Sequence, residues 1–144
     1  IEYNARFGDP ECQVLMSRFE GDLLALMLAT ADGTLADAAA PHFSAEVALT
    51  VVMAARGYPG TPEKGGRIAG IAAAEALGAK VFHAGTALEG ETLVASGGRV
   101  LAVTATGRGI AAARDKAYAP VDAIDFPSRF CRRDIGWREV ARAG

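Results

Sequence analysis

Three polar side chains at alternate positions open the chain: Glu2, Asn4 and Arg6. On an extended strand, residues two apart share one face. A carboxylate, an amide oxygen and a guanidinium would then line up at intervals of roughly 7 Å. Oxygens from Glu and Asn are hard donors that suit Mg²⁺, which takes a few protein oxygens plus substrate phosphates. An arginine beside them can grip a phosphate or a carboxylate through two parallel N–H donors. An ordinary amphipathic edge strand, with Ile1, Tyr3, Ala5 and Phe7 on its apolar side, accounts for the same alternation. Pattern alone favours the edge strand.

Four further groupings carry chemistry, each with a plainer explanation beside it. In Arg6-Phe7-Gly8-Asp9-Pro10-Glu11, two acids flank a proline just ahead of an apolar run. Helix capping explains them, with Asp9 as N-cap, Pro10 at the first helical position and Glu11 favourable to the dipole. Residues 57–70 are glycine-rich and include Lys64 and Arg67. Backbone amides with a lysine can cradle phosphate, but no Walker A or dinucleotide fingerprint is present, so a mobile surface loop is the simpler reading. His83 ends a short strand in His83-Ala84-Gly85-Thr86, where it is an acid–base group or a structural histidine. In Arg132-Arg133-Asp134, one arginine is expected to pair with Asp134 while the other reaches an anion; a solvated salt-bridge cluster is the alternative. No nucleophile–base pair and no Cys/His metal cluster emerges.

These residues need elements to hold them. Residues 1–7 read as a half-buried strand, broken by Gly8-Asp9-Pro10. From 11 to about 31, Leu15, Phe19, Leu23 and Met27 recur every four residues, predicting a helix, with Gly21-Asp22 the point at which it would be interrupted or divided in two. Residues 36–41 are small and read as a link. Residues 45–55 predict a strand, 57–62 a loop, 68–77 a short helix and 80–83 a brief strand. Residues 91–95 and 99–106, joined by Ser96-Gly97-Gly98, form the clearest predicted hairpin. Residues 109–119 predict an amphipathic helix, and 121–131 are too broken to assign.

The chain has 144 residues, half of them apolar and 22% charged, so it can bury a core and is not disordered throughout. Its net charge is −2, with no basic stripe, which argues against nucleic acid as a partner. No apolar run spans a bilayer and no secretory signal stands at the start, so neither membrane insertion nor export is expected. Cys12 and Cys131 are then reduced thiols of a cytoplasmic protein. The chain opens on a strand-like alternation without an initiator Met, which predicts further residues upstream. The residues taken alone stop at an α+β unit with a candidate Mg–phosphate edge.

The groupings also occur in a recognisable order. Glu2-Tyr3-Asn4-Ala5-Arg6-Phe7-Gly8-Asp9-Pro10-Glu11 is followed by Gly57-Tyr58-Pro59-Gly60 with Lys64-Gly65, then Phe82-His83-Ala84-Gly85-Thr86. Next come Ser96-Gly97-Gly98-Arg99-Val100-Leu101, Ala117-Tyr118 and Arg132-Arg133-Asp134-Ile135-Gly136. Across essentially its whole length the chain resembles the phosphoribosylamine–glycine ligases. The resemblance implies an α+β chain: residues 1–36 end an ATP-grasp domain, and 37–144 form a small antiparallel sheet or barrel-like C-terminal domain with helices. It implies ATP-dependent joining of glycine to 5-phosphoribosylamine through glycyl phosphate in purine synthesis. It further implies Glu2 and Asn4 as ligands of Mg²⁺ or Mn²⁺, and Arg6 as the catalytic arginine near the transferred phosphoryl group. Asp9, His83, Arg132, Arg133 and Asp134 would face substrate or cleft, or dock domains. The family's N-terminal domain, nucleotide-binding lysines and lid would be partners lying upstream, so the chain would be inactive alone. Three positions depart from the pattern: Cys131 where tyrosine is expected, Ser128 for glycine and Pro62 for an aromatic. Two alternatives remain, a stand-alone binding module and another ATP-grasp ligase of biotin-carboxylase type.

Overall fold

The computed structural model describes residues 5–143, so Glu2 and Asn4 lie outside the described residues. Ala5, Arg6 and Phe7 adopt no strand, so the expected opening strand has no counterpart in the described part of the 1–7 segment.

Helix α1 (Glu11–Arg18) ends at Phe19, where strand β1 (Phe19–Glu20) begins; α2 (Leu23–Ala31) follows. The single 11–31 periodicity is thus two helices divided at residues 19–22. Asp22 sets the second start, its side chain accepting the Ala25 N–H at 2.9 Å. A 3-10 turn at Leu35–Asp37 leads to β2 (His42–Phe43), which pairs antiparallel with β1, Phe19 opposite Phe43.

The main sheet is built from β3 (Val47–Ala55) and later strands, after α3 (Ile71–Ala76) and β4 (Lys80–His83). Strands β5 (Thr86–Glu89) and β6 (Thr92–Ala95) precede β7 (Arg99–Gly107); α4 (Ile110–Ala123), β8 (Arg129–Phe130) and α5 (Trp137–Ala143) close the chain. Sheet order is β4-β7-β3-β8, all antiparallel and open at both edges, so the sheet does not form the barrel-like unit offered as an alternative.

The predicted hairpin across residues 96–98 does not exist. β6 pairs back with β5 through a two-residue connection at Gly90-Glu91, whereas β7 pairs with β3 and β4. Gly90 supplies the left-handed φ of 61° which that tight connection needs. The glycines at 97 and 98 serve another purpose. A Cβ at Gly97 would come within 3.0 Å of the Gly85 Cα, so two backbones cross where only glycines fit. Residues 65–68 also lie along β6, with Gly65 N–H donating to Ala95 O and Ala95 N–H to Gly66 O. The glycine-rich stretch is therefore pinned to the sheet region over part of its length.

Leu49, Val51, Met53 and Ala55 point from β3 into the core, which also takes Leu101 and Val103 of β7 and Ala113, Ala117 and Val121 of α4. The small alanines let α4 lie close across β7 and β3. Ala102 and Thr104, on the alternate face of β7, are buried too, so this central strand is covered on both sides. The second long-range helix contact of β3 and β7 is α1.

Candidate functional site

Strand register brings part of the chemistry-bearing set to one end of the sheet and leaves the rest along an edge. His83 ends β4 opposite Leu101, and Arg99 begins β7 opposite Ala54. Ala54 pairs on its other side with Phe130, at the start of the 130–136 motif. Because β8 runs antiparallel to β3, the residues after Phe130 run back along that edge, away from the Ala54–Arg99 end, and Gly136 lies against Leu49. His83 stands on the opposite edge, and with β7 and β3 between them the two edge strands are about 14 Å apart at a 4.8 Å strand spacing.

Asp9 belongs to this end through a contact 90 residues away in sequence. The Arg99 guanidinium meets the Asp9 carboxylate at 3.0 Å, and a second nitrogen donates to the Asp9 main-chain carbonyl at 3.2 Å. The other Asp9 carboxylate oxygen accepts from the Gln13 side chain at 3.0 Å. Asp9 is thus not the N-cap: Pro10 occupies that position, and α1 has no side-chain cap. Arg6 is exposed and donates to the Phe7 carbonyl at 2.8 Å. Among the described residues no group of three His, Cys, Asp or Glu side chains is placed to hold a metal ion.

His83 is exposed, with Nδ1 at 3.0 Å from the Thr86 hydroxyl. At the other edge, Arg132 pairs with Asp134 in a two-point contact of 2.9 and 2.6 Å. That hydrogen-bonded partner raises the Arg132 pKa above its ordinary value and lowers that of Asp134. Both groups stay charged wherever the fold is intact near neutral pH. Arg133 does not reach outward. It pairs with Asp122 of α4 at 2.6 Å, which raises its pKa, and lies over the Tyr118 ring at 5.6 Å. Tyr118 ties the segment down: its hydroxyl donates to Arg132 O at 2.7 Å and accepts from Ile135 N–H at 3.1 Å. Arg129, Phe130, Cys131 and Arg133, with Met53 beneath, line a recess of about 310 Å³. Cys12 and Cys131 are both free thiols.

Two of these residues were not singled out in the sequence as site residues. Arg99 stands directly after the Ser-Gly-Gly turn, and Tyr118 is a half-buried aromatic on a helix otherwise faced with alanine. Neither residue type announces its partner, because both partners are remote in sequence.

The profile of the family described as "Phosphoribosylglycinamide synthetase, C domain" matches residues 48–138. The chain belongs to that family. It is 61% identical over 142 residues to a phosphoribosylamine–glycine ligase of Mesorhizobium japonicum, a match that covers 99% of the chain and 33% of that relative. A Rhizobium meliloti relative of the same name is 59% identical, with the same coverage. An Arabidopsis thaliana relative, described as a chloroplastic phosphoribosylamine–glycine ligase, is 52% identical and is covered over 27% of its length. The crystal structure of a phosphoribosylamine–glycine ligase from Thermotoga maritima superposes with a TM-score of 0.72 at 33% identity, over 93% of the chain and 32% of that protein. The chain thus spans about a third of the length of the relatives it matches. No helix of the described residues is long and apolar enough to cross a membrane.

Proposed function

We propose that the chain is the C-terminal part of an ATP-dependent ligase that joins glycine to 5-phosphoribosylamine. The observation that carries this reading is identity of 61% over nearly the whole chain to a relative bearing that enzyme's name. On this reading residues 1–36 end the ATP-grasp domain and 37–144 form the C-terminal domain. The family profile beginning at residue 48 supports that division.

The reaction this implies has two steps. The glycine carboxylate attacks the terminal phosphorus of ATP, giving glycyl phosphate and ADP. The amine of phosphoribosylamine then displaces phosphate from the acyl carbon, forming the amide. Such transfers are accelerated mainly by positioning and by charge stabilisation. Arg6 supplies a charge of the right kind: an exposed guanidinium that donates to the adjacent Phe7 carbonyl, a weak local contact that a phosphoryl or acyl-phosphate oxygen can replace. Glu2 and Asn4 offer two hard oxygen donors, a set that fits Mg²⁺ or Mn²⁺ when substrate phosphates complete it. A divalent ion held there would neutralise phosphate charge. The described chain leading to these donors turns at Asp9, which docks on Arg99 at the sheet end that also bears His83. The compartment implied is the cytoplasm, or the plastid in a plant relative.

The test uses the full-length protein carrying this chain. ADP release is expected to require glycine and not bicarbonate, which separates this ligase from a biotin-carboxylase-like one. Glu2→Ala is expected to abolish glycine-dependent ADP release while circular dichroism stays unchanged. Retained activity in that variant removes Glu2 from the metal site.

A further inference from the structure

We propose that Arg99 is a positioning residue that latches the corner at residues 8–13, into which the segment bearing Arg6 runs, to the C-terminal sheet through Asp9. The proposal rests on the ligase reading above and extends it to a residue outside the metal and phosphate contacts.

The geometry at Asp9 is more than a surface ion pair. One guanidinium holds both the side chain and the main-chain carbonyl of the same residue, at 3.0 and 3.2 Å. A side-chain contact alone leaves the backbone free to swing; a contact to the carbonyl fixes the backbone itself. Asp9 is also where the chain turns from the opening segment into α1. The turn is held from its other side, since Gln13 donates to the second carboxylate oxygen and Cys12 N–H donates to Gly8 O at 2.8 Å. Gly8 is buried, with the Glu11 carboxylate packed against it. The corner at residues 8–13 is therefore fixed internally, and Arg99 fixes it to β7.

Chain length limits what lies upstream. Only Phe7 and Gly8 lie between Arg6 and Asp9, so Arg6 is confined within about 10 Å of the anchor. Arg99 itself is held at the first residue of β7, opposite Ala54, next to the Gly85–Gly97 crossing. The latch thus joins the segment bearing Arg6 to the central strand of the C-terminal sheet, across 90 residues of sequence.

An exposed ion pair by itself contributes little to stability. The side chains of Arg99 and Asp9 are 41% and 42% exposed, so a merely structural role predicts at most a small loss of thermal stability and no kinetic effect on removing either. A positioning role predicts a kinetic effect without a stability effect. Groups that orient metal ligands from outside typically contribute about 10-fold or more to metal affinity or activity. In the full-length protein, Arg99→Ala is expected to raise the half-saturating Mg²⁺ concentration and lower kcat, each by about tenfold, with an unchanged thermal midpoint. Arg99→Lys keeps the charge but loses the two-point hold, so it should fall between. The exchange Asp9→Arg with Arg99→Asp should recover part of the loss relative to Asp9→Arg alone.

Wild-type kcat and a wild-type Mg²⁺ curve in Arg99→Ala overturn the latch and leave the ligase reading standing. A lowered thermal midpoint with unchanged kinetics of the folded protein overturns it too, since that is the signature of packing alone. A wild-type protein that releases no ADP with glycine overturns the ligase reading and the latch with it.

Discussion

Ser128 is 4% exposed and its hydroxyl has no hydrogen-bond partner among the described residues. It stands where the family resemblance leads one to expect glycine, and its backbone φ is not in the left-handed region, so a Cβ is tolerated there. A buried hydroxyl without a partner costs about 1–3 kcal/mol. Ser128→Ala removes the hydroxyl, keeps the Cβ and leaves the Ser128 carbonyl free to accept Arg56 N–H as it does now. The variant is expected to be about 1 kcal/mol more stable, measured by urea unfolding. Residue-level chemistry was only partly legible in the sequence. The pairing of one arginine with Asp134 follows from their adjacency and is present. The expectation that the other reaches an outside anion fails because Asp122, eleven residues earlier on α4, is the nearer carboxylate. Asp9 misled for a similar reason: its position before a helix suggests a cap, while its actual partner Arg99 is remote.

Between elements, the paired threonines of β3 and β7 give an asymmetric prediction. Thr104 is 1% exposed and donates to the Thr50 hydroxyl at 2.8 Å, while Thr50 donates onward to Val103 O at 3.3 Å. Thr104→Val leaves the Thr50 bond to the backbone intact and is expected to cost under about 1 kcal/mol. Thr50→Val strips the Thr104 hydroxyl of its side-chain partner among the described residues and should cost about 1–3 kcal/mol. Equal losses in thermal unfolding of the two variants would show that the chain of bonds is not directional. The strands themselves were legible, since β-branched alternation over 45–55 and 99–106 marks both. Their pairing was not, because a glycine turn between two β-rich runs looks the same whether it closes a hairpin or lets two backbones cross. Helix α4 shows the other failure. Periodicity predicts an end near 119, since Pro120 lacks an N–H to donate. The helix nevertheless runs to Ala123 with Pro120 and Val121 buried, because core packing offsets one missing bond.

At the scale of the whole molecule, the least settled surface is α2. No residue of this helix is buried, and Leu24, Met27 and Leu28 are 65%, 59% and 55% exposed. It carries no charged residue, so nothing about its sequence suits it to water. A groove of about 260 Å³ opens alongside it, walled by β1 and residues 38–41. Burying one such side chain contributes roughly 1.5–3 kcal/mol, so leaving three in water forgoes a sizeable part of a domain stability of about 5–15 kcal/mol. The relatives that match this chain are about three times as long, and under the ligase reading the remainder of the protein is the natural cover for this face. Periodicity signals the apolar character of α2 from the sequence, but not which surface covers it. Two measurements follow from one pair of substitutions. The isolated chain is expected to self-associate at micromolar concentration in analytical ultracentrifugation, and Leu24→Glu with Leu28→Glu should render it monomeric. In the full-length protein the same pair should instead lower stability by several kcal/mol, on the order of the burial forgone. A full-length variant as stable as wild type would mean that α2 faces solvent in the complete protein, and its apolar face would then need a partner from another molecule.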